Sequence, residues 1–352
     1  MGNITFLLTY LIIAFILTLF LTPFYIKFLH KYSLGKKIRE NALIGKATIF
    51  SELHKDKIGT PSMGGGVILF VIFFLVIMSI IALYFGPQIQ DLFGIKIKYS
   101  LFNRNETYLA LFTLFTVGLI GLVDDYLNVK EIGRTKGLGA RVKMILLIIF
   151  AFLGAYWFYY KLGYRSFNLP YLGNINVGWI YIPLFIFIII SMANAVNITD
   201  GLDGLVGGLL LFNYVVYAII AYNSKLLILS ALCMIIVGTL IAFLWFNIKP
   251  AKFYMGDIGA LALGANLGII AMMTNTLIVL VIISGIYILE IISDIIQITS
   301  KKLRNGKKVF LIAPFHHHLE ACGWKEETIV MRFWLIGMVL SSIGLLVGLL
   351  LK

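Results

Sequence analysis

Two adjacent aspartates, Asp124 and Asp125, follow an apolar stretch in the segment GLIGLVDDYLNVK. Neighbouring carboxylates repel each other, and at the end of an apolar helix they also meet the negative pole of the helix dipole. A function that recruits Mg²⁺ or a proton would offset this electrostatic cost. The pair therefore predicts a functional carboxylate site, the alternative being a helix end that is merely solvated.

Polar residues recur every three positions in NAVNITDGLDG, residues 194–204. That spacing predicts that a helix stacks their side chains along a single face. Gly201 and Gly204 allow a close backbone approach and a positive φ. The alternative, a tight turn between two spans, needs glycine and asparagine but not two aspartates, so the segment is expected to line a site. The four polar residues are Asn194, Asn197, Asp200 and Asp203.

A third polar segment, FNIKPAKFYMGDIGALALG (residues 246–264), carries Asn247, Lys252, Tyr254 and Asp257. Asp257 precedes a glycine-rich helix, whose first backbone N–H groups could hold phosphate while the carboxylate holds a metal. Aspartate is also a favoured N-cap residue. Taken alone, the segment is equally compatible with a metal site and with simple helix capping.

Three consecutive histidines, His316, His317 and His318, stand in the segment APFHHHLE. Adjacent residues do not point at a common centre, so hydrogen bonding to phosphate or nucleotide oxygens suits them better than a zinc site. The alternative is an ordinary surface loop.

Charged residues elsewhere are more ambiguous. Lys55 and Lys57 lie in HKDKIGTPSMGGG (residues 54–66), where they could steer an anionic substrate or simply set membrane topology. Topology is the better interpretation of these two lysines alone. Glu290 and Asp294 lie one helix turn apart in an apolar stretch. Uncompensated acids are costly there, so they are expected to face the protein interior or to mark where the helix leaves the lipid.

The elements that must position these residues are membrane helices. Of the 352 residues, 61% are hydrophobic and only 13% are charged, which excludes an ordinary soluble enzyme. Apolar stretches of bilayer-spanning length predict an all-α polytopic membrane protein of about ten helices, forming a single domain over residues 1–352. The predicted spans are 4–29, 64–86, 107–123, 142–160, 179–198, 204–222, 226–246, 257–275, 276–298 and 329–351.

The distribution of basic residues predicts the orientation of these helices. An even number of spans places both termini on one side, and the connections after odd-numbered spans on the other. The latter hold 22 of the 29 Lys and Arg residues, so the positive-inside rule makes them cytoplasmic and both termini external. The net charge of +13 then reflects topology, and no nucleic-acid partner is expected.

The polar motifs all fall on the predicted cytoplasmic side. Aspartates, asparagines, lysines and histidines at a bilayer surface suit Mg²⁺-dependent phosphoryl transfer, in which the protein mainly positions groups and neutralises charge. The sequence contains no P-loop or kinase signature. A transporter is a weaker alternative, because it would carry polar residues through the depth of several spans.

From about Thr60 to Trp334 the chain resembles the polyprenyl-phosphate N-acetylhexosamine-1-phosphate transferases, and among them the phospho-N-acetylmuramoyl-pentapeptide-transferase (MraY) family. The resemblance implies a ten-helix enzyme of the bacterial inner membrane with a cytoplasmic active site. Such an enzyme transfers phospho-N-acetylmuramoyl-pentapeptide from UDP-N-acetylmuramoyl-pentapeptide to undecaprenyl phosphate, giving lipid I and UMP. A sister transferase that uses UDP-N-acetylglucosamine is the nearest alternative, and a homodimer is compatible with either. The resemblance rests on TPSMGG, GLVDDY, TKGLGARVK, NAVNITDGLDGL, PAKFYMGDIGALALG and APFHHHLEACGW.

The resemblance also implies roles for individual residues. Asp257 matches the Mg²⁺ ligand, Asp124 and Asp125 match the catalytic pair, and His316 is expected to act with them. The matched residues expected to contact substrate are Lys57, Lys143, Asn197, Asp200, Gly201, Leu202, Asp203, Asn247, Tyr254, His317 and His318.

Three positions depart from what the family pattern leads one to expect. Asn128 stands where the family commonly has a lysine, although Lys130 follows two residues later, and Ala260 replaces a serine. The pattern assigns no role to Asp294. Two mechanisms stay open at this point, direct attack by the lipid phosphate and a two-step path through a phospho-aspartate.

Overall fold

The structure, a computed structural model, describes residues 2–32, 34–35, 57, 59–94, 97–103, 105–132, 137–169 and 173–351. Most of these residues are helical, as the long apolar runs require. The helices are α1 (Asn3–Lys31), α2 (Gly65–Tyr84), α3 (Gly86–Phe93), α4 (Tyr108–Val129), α5 (Ala140–Tyr156), α6 (Tyr181–Thr199), α7 (Leu205–Asn223), α8 (Leu227–Asn247), α9 (Gly256–Met273), α10 (Leu277–Ile283), α11 (Gly285–Leu303), α12 (Phe315–Ala321) and α13 (Glu326–Leu350).

Within the described residues, nine helices are long and apolar enough to cross a membrane, and a bent helix pair raises the number to ten. The chain is therefore a polytopic membrane protein, as predicted. The two most deeply placed spans are α8 and α9, of which 83% is buried in each case, whereas α1 exposes most of its surface. Because α1 is apolar all round, its exposed face is suited to lipid.

The ninth predicted span, 276–298, is not one straight helix. It consists of α10 and α11, which meet at Ser284 with a bend of 71°. Gly285 lies at the break, where a Cβ atom would come within 2.7 Å of the Leu340 side chain. The apolar run in the sequence does not reveal this bend, because both halves remain hydrophobic on one side.

A short β-hairpin interrupts the otherwise helical structure, so the prediction of an all-α fold is wrong in this detail. Strands β1 (Ser166–Leu169) and β2 (Gly173–Asn176) pair in antiparallel register. The Asn168 side chain donates to the Leu351 carbonyl at 2.8 Å, and its backbone N–H donates to Asn275 Oδ1 at 3.2 Å. The hairpin thus links the connection at Asn275 to Leu351, the residue that follows α13.

Two buried polar residues join helices inside the bundle. Asn266 of α9 donates to the Ala110 carbonyl of α4 at 2.8 Å, and Tyr214 of α7 bonds both Asn266 Oδ1 and the Leu263 carbonyl. Fully bonded groups of this kind are the form in which polar side chains are tolerated in an apolar interior. They fix how α4, α7 and α9 are rotated with respect to one another.

Glu106, two residues before α4, caps the start of another helix. Its Oε2 atom accepts hydrogen bonds from the backbone N–H groups of Ile228 and Leu229 at 2.7 and 3.2 Å. These are among the unpaired N–H groups at the start of α8, which a carboxylate stabilises both by hydrogen bonding and through the helix dipole.

Candidate active site

The three motif aspartates meet where α4 passes the start of α9. Asp124 and Asp125 are buried on α4, and Asp125 Oδ2 accepts a hydrogen bond from the Ile258 N–H of α9 at 3.0 Å. Gly121 permits this approach, because a Cβ atom there would lie 2.3 Å from the Asp257 carbonyl oxygen. The predicted span ended at residue 123, but α4 continues to Val129. The aspartate pair therefore lies within the helix and not at its end.

Lys143 bridges two of these aspartates. Its ammonium group lies 2.6 Å from Asp124 Oδ2 and 2.6 Å from Asp257 Oδ2. Asn197 donates to the other Asp257 oxygen at 2.8 Å, and the Leu138 N–H donates to Asp124 Oδ1 at 2.6 Å. These contacts join α4, α5, α6 and α9. We call the five predicted site residues that they bring together the acidic centre: Asp124, Asp125, Lys143, Asn197 and Asp257.

The acidic centre suits a divalent cation that obtains most of its ligands from elsewhere. The Lys143 ammonium already occupies a cation's position between the Asp124 and Asp257 carboxylates. Among the described residues, no three His, Cys, Asp or Glu side chains converge closely enough to hold a metal. Mg²⁺ commonly uses one or two carboxylates and completes its shell with water and substrate phosphates. The donor set therefore fits Mg²⁺ better than it fits zinc.

Asp257 lies just inside α9 and is not its N-cap. The capping position is Met255, and no side chain caps the helix there. Both Asp257 oxygens instead bond side chains from other helices, Lys143 and Asn197. The helix-capping alternative for Asp257 is therefore wrong.

A second group of charges, which we call the lysine–carboxylate cluster, consists of Lys57, Asp203, Lys249 and Glu326. Lys57 pairs with Asp203 Oδ1 at 2.8 Å and with Glu326 Oε1, and Lys249 pairs with Glu326 Oε2 at 3.1 Å. Burial alone would lower the pKa of Lys57, but the negative charges of Glu326 and Asp203 raise it above its usual range. Lys57 therefore carries a fixed positive charge, and Lys55 lies outside the described residues.

The segment 194–204 does not form one polar face, so that prediction is wrong. Helix α6 ends at Thr199, and the chain then turns through Gly204 with φ of +82°. Asp200 accepts a hydrogen bond from the Gly256 N–H at 3.1 Å. The side chains therefore diverge: Asn194 bonds its own helix, Asn197 reaches Asp257, Asp200 reaches the start of α9, and Asp203 reaches Lys57 and the Ala251 N–H.

Asn247, Leu202 and Tyr254 support these loops. The Asn247 side chain, 2% exposed, accepts from the Gly204 N–H at 3.1 Å and donates to the Phe253 carbonyl at 2.8 Å. Leu202 is buried in the core. Burial, reinforced by the nearby Asp203 charge, raises the pKa of the Tyr254 phenol. Neither Asn247 nor Leu202 is exposed to solvent, so in this structure both support the loops of the site and neither is available to contact substrate.

The three histidines have different surroundings. His316 is fully buried and bonds Glu290 through Nδ1 at 2.9 Å, while its Nε2 faces Gly201, where a Cβ atom would lie 2.2 Å away. His317 bonds Glu320 at 2.6 Å. His318 packs its ring against Phe310 and accepts from the Leu311 N–H at 3.3 Å. His317 Nε2 also faces Gly201, at 3.1 Å from the same Cβ position, so His316 and His317 converge there while His318 is directed elsewhere.

Several functional-site neighbours were not predicted from the sequence. Glu320 bonds His317, and Glu326 belongs to the lysine–carboxylate cluster. Glu290 was expected to face the interior, which is confirmed, but its bond to His316 was not foreseen. A single acid within an apolar helix gives no indication of its partner. The spacing of Glu320, three residues after His317, was the only available sequence clue to any of these contacts.

The structure also shows the surroundings of residues at or near the positions that depart from the family pattern. Lys130 donates to the Tyr32 carbonyl at 3.2 Å, so in this state it is directed to the end of α1. Ala260 is fully buried within α9, and Asp294 is half-buried on α11.

Sequence comparison gives a consistent family assignment. Residues 107–275 match Glycosyl transferase family 4. The chain is 36% identical over 348 residues to the phospho-N-acetylmuramoyl-pentapeptide-transferase of Oceanobacillus iheyensis, covering 97% of this chain and 98% of that protein. It is 35% identical over 345 residues to the protein of that name from Clostridium novyi, covering 95% and 94% of the two chains. The protein from Geobacillus sp. strain WCH70 is 36% identical over 339 residues, 95% of each chain. The chain therefore belongs to the phospho-N-acetylmuramoyl-pentapeptide-transferase family.

Proposed function

We propose that this protein transfers phospho-N-acetylmuramoyl-pentapeptide from its UDP carrier to undecaprenyl phosphate, releasing UMP and forming lipid I. The observation that carries the proposal is the near full-length similarity to relatives that bear the name of this activity. The acidic centre supports it, because adjacent carboxylates, an ammonium group and a nearby lysine–carboxylate cluster suit a reaction between two phosphate-bearing substrates.

The location we propose is the bacterial cytoplasmic membrane, with the acidic centre at the cytoplasmic face. Residues at or beside the connections after the five odd-numbered spans contact one another. Lys57, Asp203, Ala251 and Glu326 are linked by hydrogen bonds, and Lys143 bonds Asp257. Those connections carry most of the Lys and Arg residues, which the positive-inside rule assigns to the cytoplasm. Both termini are then external, and a homodimer stays a prediction.

Asp257 is the residue that would hold Mg²⁺, with Asp124 next to it. When bound, the cation would neutralise charge on the pyrophosphate of the UDP-sugar and make its β-phosphorus easier to attack. The substrate phosphates would compete with Asp124 and Asp257 for the Lys143 ammonium group, which would then orient them. Lys57 would supply a second positive charge on the nucleotide side, beside Asp203.

We favour direct attack by the lipid phosphate over a phospho-aspartate path. Both Asp124 oxygens are engaged, one by the Leu138 N–H and one by Lys143, and Asp125 Oδ2 is held by the Ile258 N–H. Carboxylates held in this way are suited to positioning and to accepting a proton. A lipid phosphate has a second pKa of about 6, so it is largely dianionic at neutral pH and needs little help from a base.

The test is UMP release by the purified protein with undecaprenyl phosphate and either UDP-N-acetylmuramoyl-pentapeptide or UDP-N-acetylglucosamine. We expect release with the muramoyl substrate alone, and a loss of about a thousandfold or more on Asp257→Asn. Asp91→Asn, an exposed carboxylate on α3, is the control and should retain activity. Release with UDP-N-acetylglucosamine alone would show that the chain is the sister transferase.

The same preparation separates the two chemical paths. The protein is incubated with UDP-N-acetylmuramoyl-pentapeptide in the absence of lipid acceptor and then digested for mass spectrometry. Direct attack predicts unmodified Asp124 and Asp125. A phosphosugar adduct on either aspartate, with a stoichiometric burst of UMP, would establish the two-step path instead.

A further inference from the structure

We infer that Glu326 is a positioning residue, which holds Lys57 and the Asp203 turn in the geometry that receives the UDP-sugar. Glu326 is not part of any motif that suggested the function. The inference deepens the proposed function and rests on it, since Lys57 and Asp203 matter here as part of the substrate site.

Glu326 links three connections through its two carboxylate oxygens. Its Oε1 accepts a hydrogen bond from the Asp203 N–H at 2.8 Å and pairs with Lys57, while Oε2 pairs with Lys249 at 3.1 Å. The Lys57 ammonium simultaneously contacts Asp203 Oδ1 at 2.8 Å. Lys57, Asp203 and Glu326 therefore form a closed ring of contacts. In this ring Glu326 fixes both the side chain of Lys57 and the backbone of Asp203.

Burial makes this ring sensitive to the loss of one charge. The side chains of Glu326 and Asp203 are 5% and 4% exposed, and that of Lys57 is 15% exposed. A buried carboxylate is stable only when it is paired and hydrogen-bonded, and Glu326 has three donors. Lys57 and Lys249 balance the charges of Glu326 and Asp203, so the four side chains together carry no net negative charge toward an anionic substrate.

The next residue in the sequence is a matched control. Glu327 pairs with the same Lys249, at 3.2 Å, but its side chain is 57% exposed. An exposed pair of this kind contributes little. Replacing either glutamate by glutamine removes the same charge from the first turn of α13, yet only Glu326 reaches Lys57 and Asp203.

The first experiment measures KM and kcat for the UDP-sugar in Glu326→Gln, Glu327→Gln, Lys57→Met and the double variant Lys57→Met/Glu326→Gln. We expect Glu326→Gln to raise KM about tenfold with little change in kcat, as for a lost charge pair that acts in binding. Glu327→Gln should stay within about twofold of the wild type. If Glu326 acts through Lys57, the double variant should match Lys57→Met alone.

The second experiment needs no catalysis. Purified protein is exposed briefly to an amine-acylating reagent, and modification of Lys57 is quantified by mass spectrometry. Because Glu326 buries and pairs the ammonium group, we expect Lys57 to be acylated several-fold faster in Glu326→Gln than in Glu327→Gln. Glu326→Asp keeps the charge but shortens the side chain, so its rate of Lys57 acylation should lie between those of the two glutamine variants. It replaces Glu326→Gln in the comparison if that variant does not fold.

The outcomes distinguish this inference from the proposed function. An unchanged KM, a double variant whose losses multiply, or equal Lys57 acylation in the two glutamine variants would each refute the positioning role. A mere loss of folded protein would lower kcat and leave KM unchanged, which also counts against it. If the wild type releases no UMP while Lys57 acylation changes as expected, the proposed function fails and the structural role of Glu326 stands.

Discussion

Replacing Lys143 by methionine removes the only ammonium group that the described structure places between Asp124 and Asp257. Breaking a fully buried ion pair by removing one partner costs roughly 3–5 kcal/mol, because the remaining charge is left uncompensated. The Lys143 side chain is 20% exposed, so water will screen part of that cost. We therefore expect Lys143→Met to lower the free energy of unfolding by about 2 kcal/mol.

The assay is thermal unfolding in lipid nanodiscs, with EDTA and then with millimolar Mg²⁺. In EDTA the Lys143→Met midpoint should fall by several degrees, and Mg²⁺ should restore more of it than it adds to the wild type, since a divalent cation can replace the missing ammonium group. Arg141→Met removes a positive charge from the exposed face of the same turn and is the control. If both variants behave alike in EDTA, or if Mg²⁺ restores nothing, Lys143 does not hold the carboxylates together.

Three further substitutions follow from the contacts. Gly121→Ala would push a Cβ atom against the Asp257 backbone at 2.3 Å and should abolish UMP release, whereas Gly118→Ala meets only the movable end of a leucine side chain at 2.5 Å and should be far milder. Glu106→Gln should cost about 1 kcal/mol of stability in thermal unfolding and leave activity per folded molecule unchanged, because it weakens only the cap of α8. Burial and the nearby Glu326 charge raise the pKa of Glu320 to about 7 from 4.5, so the folded state binds the proton more tightly than the unfolded state between these values. Stability should therefore fall as pH rises from about 5 to 7, and Glu320→Gln should flatten this slope; an unchanged slope would assign it to other groups.

The membrane helices could be predicted because a bilayer imposes one strong requirement, a long apolar run, which composition reveals directly. The break at Ser284 and the β-hairpin could not, because both depend on what packs against the chain. Gly285 lies against Leu340, and Asn168 is held by the backbone of Leu351. Neither partner can be identified from the local sequence.

The candidate site shows the same division. Aspartates such as Asp257 could be recognised by their residue type and by the cost of placing them at an apolar helix. The pairing of that aspartate with Lys143, 114 positions away, is a tertiary property. The predicted polar face of segment 194–204 was wrong because residue spacing was extended through Thr199 as though the helix continued. The glycines that follow allow the chain to turn, and each side chain then finds a separate partner.

The hydrogen bond from Asn266 to the Ala110 carbonyl predicts which buried positions should lose activity in a mutational scan of this protein. Two hydrogen bonds join helices α4 and α9, this one and the bond from the Ile258 N–H to Asp125. Together they oppose both sliding and rotation of one helix against the other. The bond of Asn266 therefore helps to keep Asp124 and Asp125 in register with Asp257. Substitutions of Asn266 should therefore be among the inactivating ones, although the residue is fully buried and lies nine positions after Asp257 on the same helix.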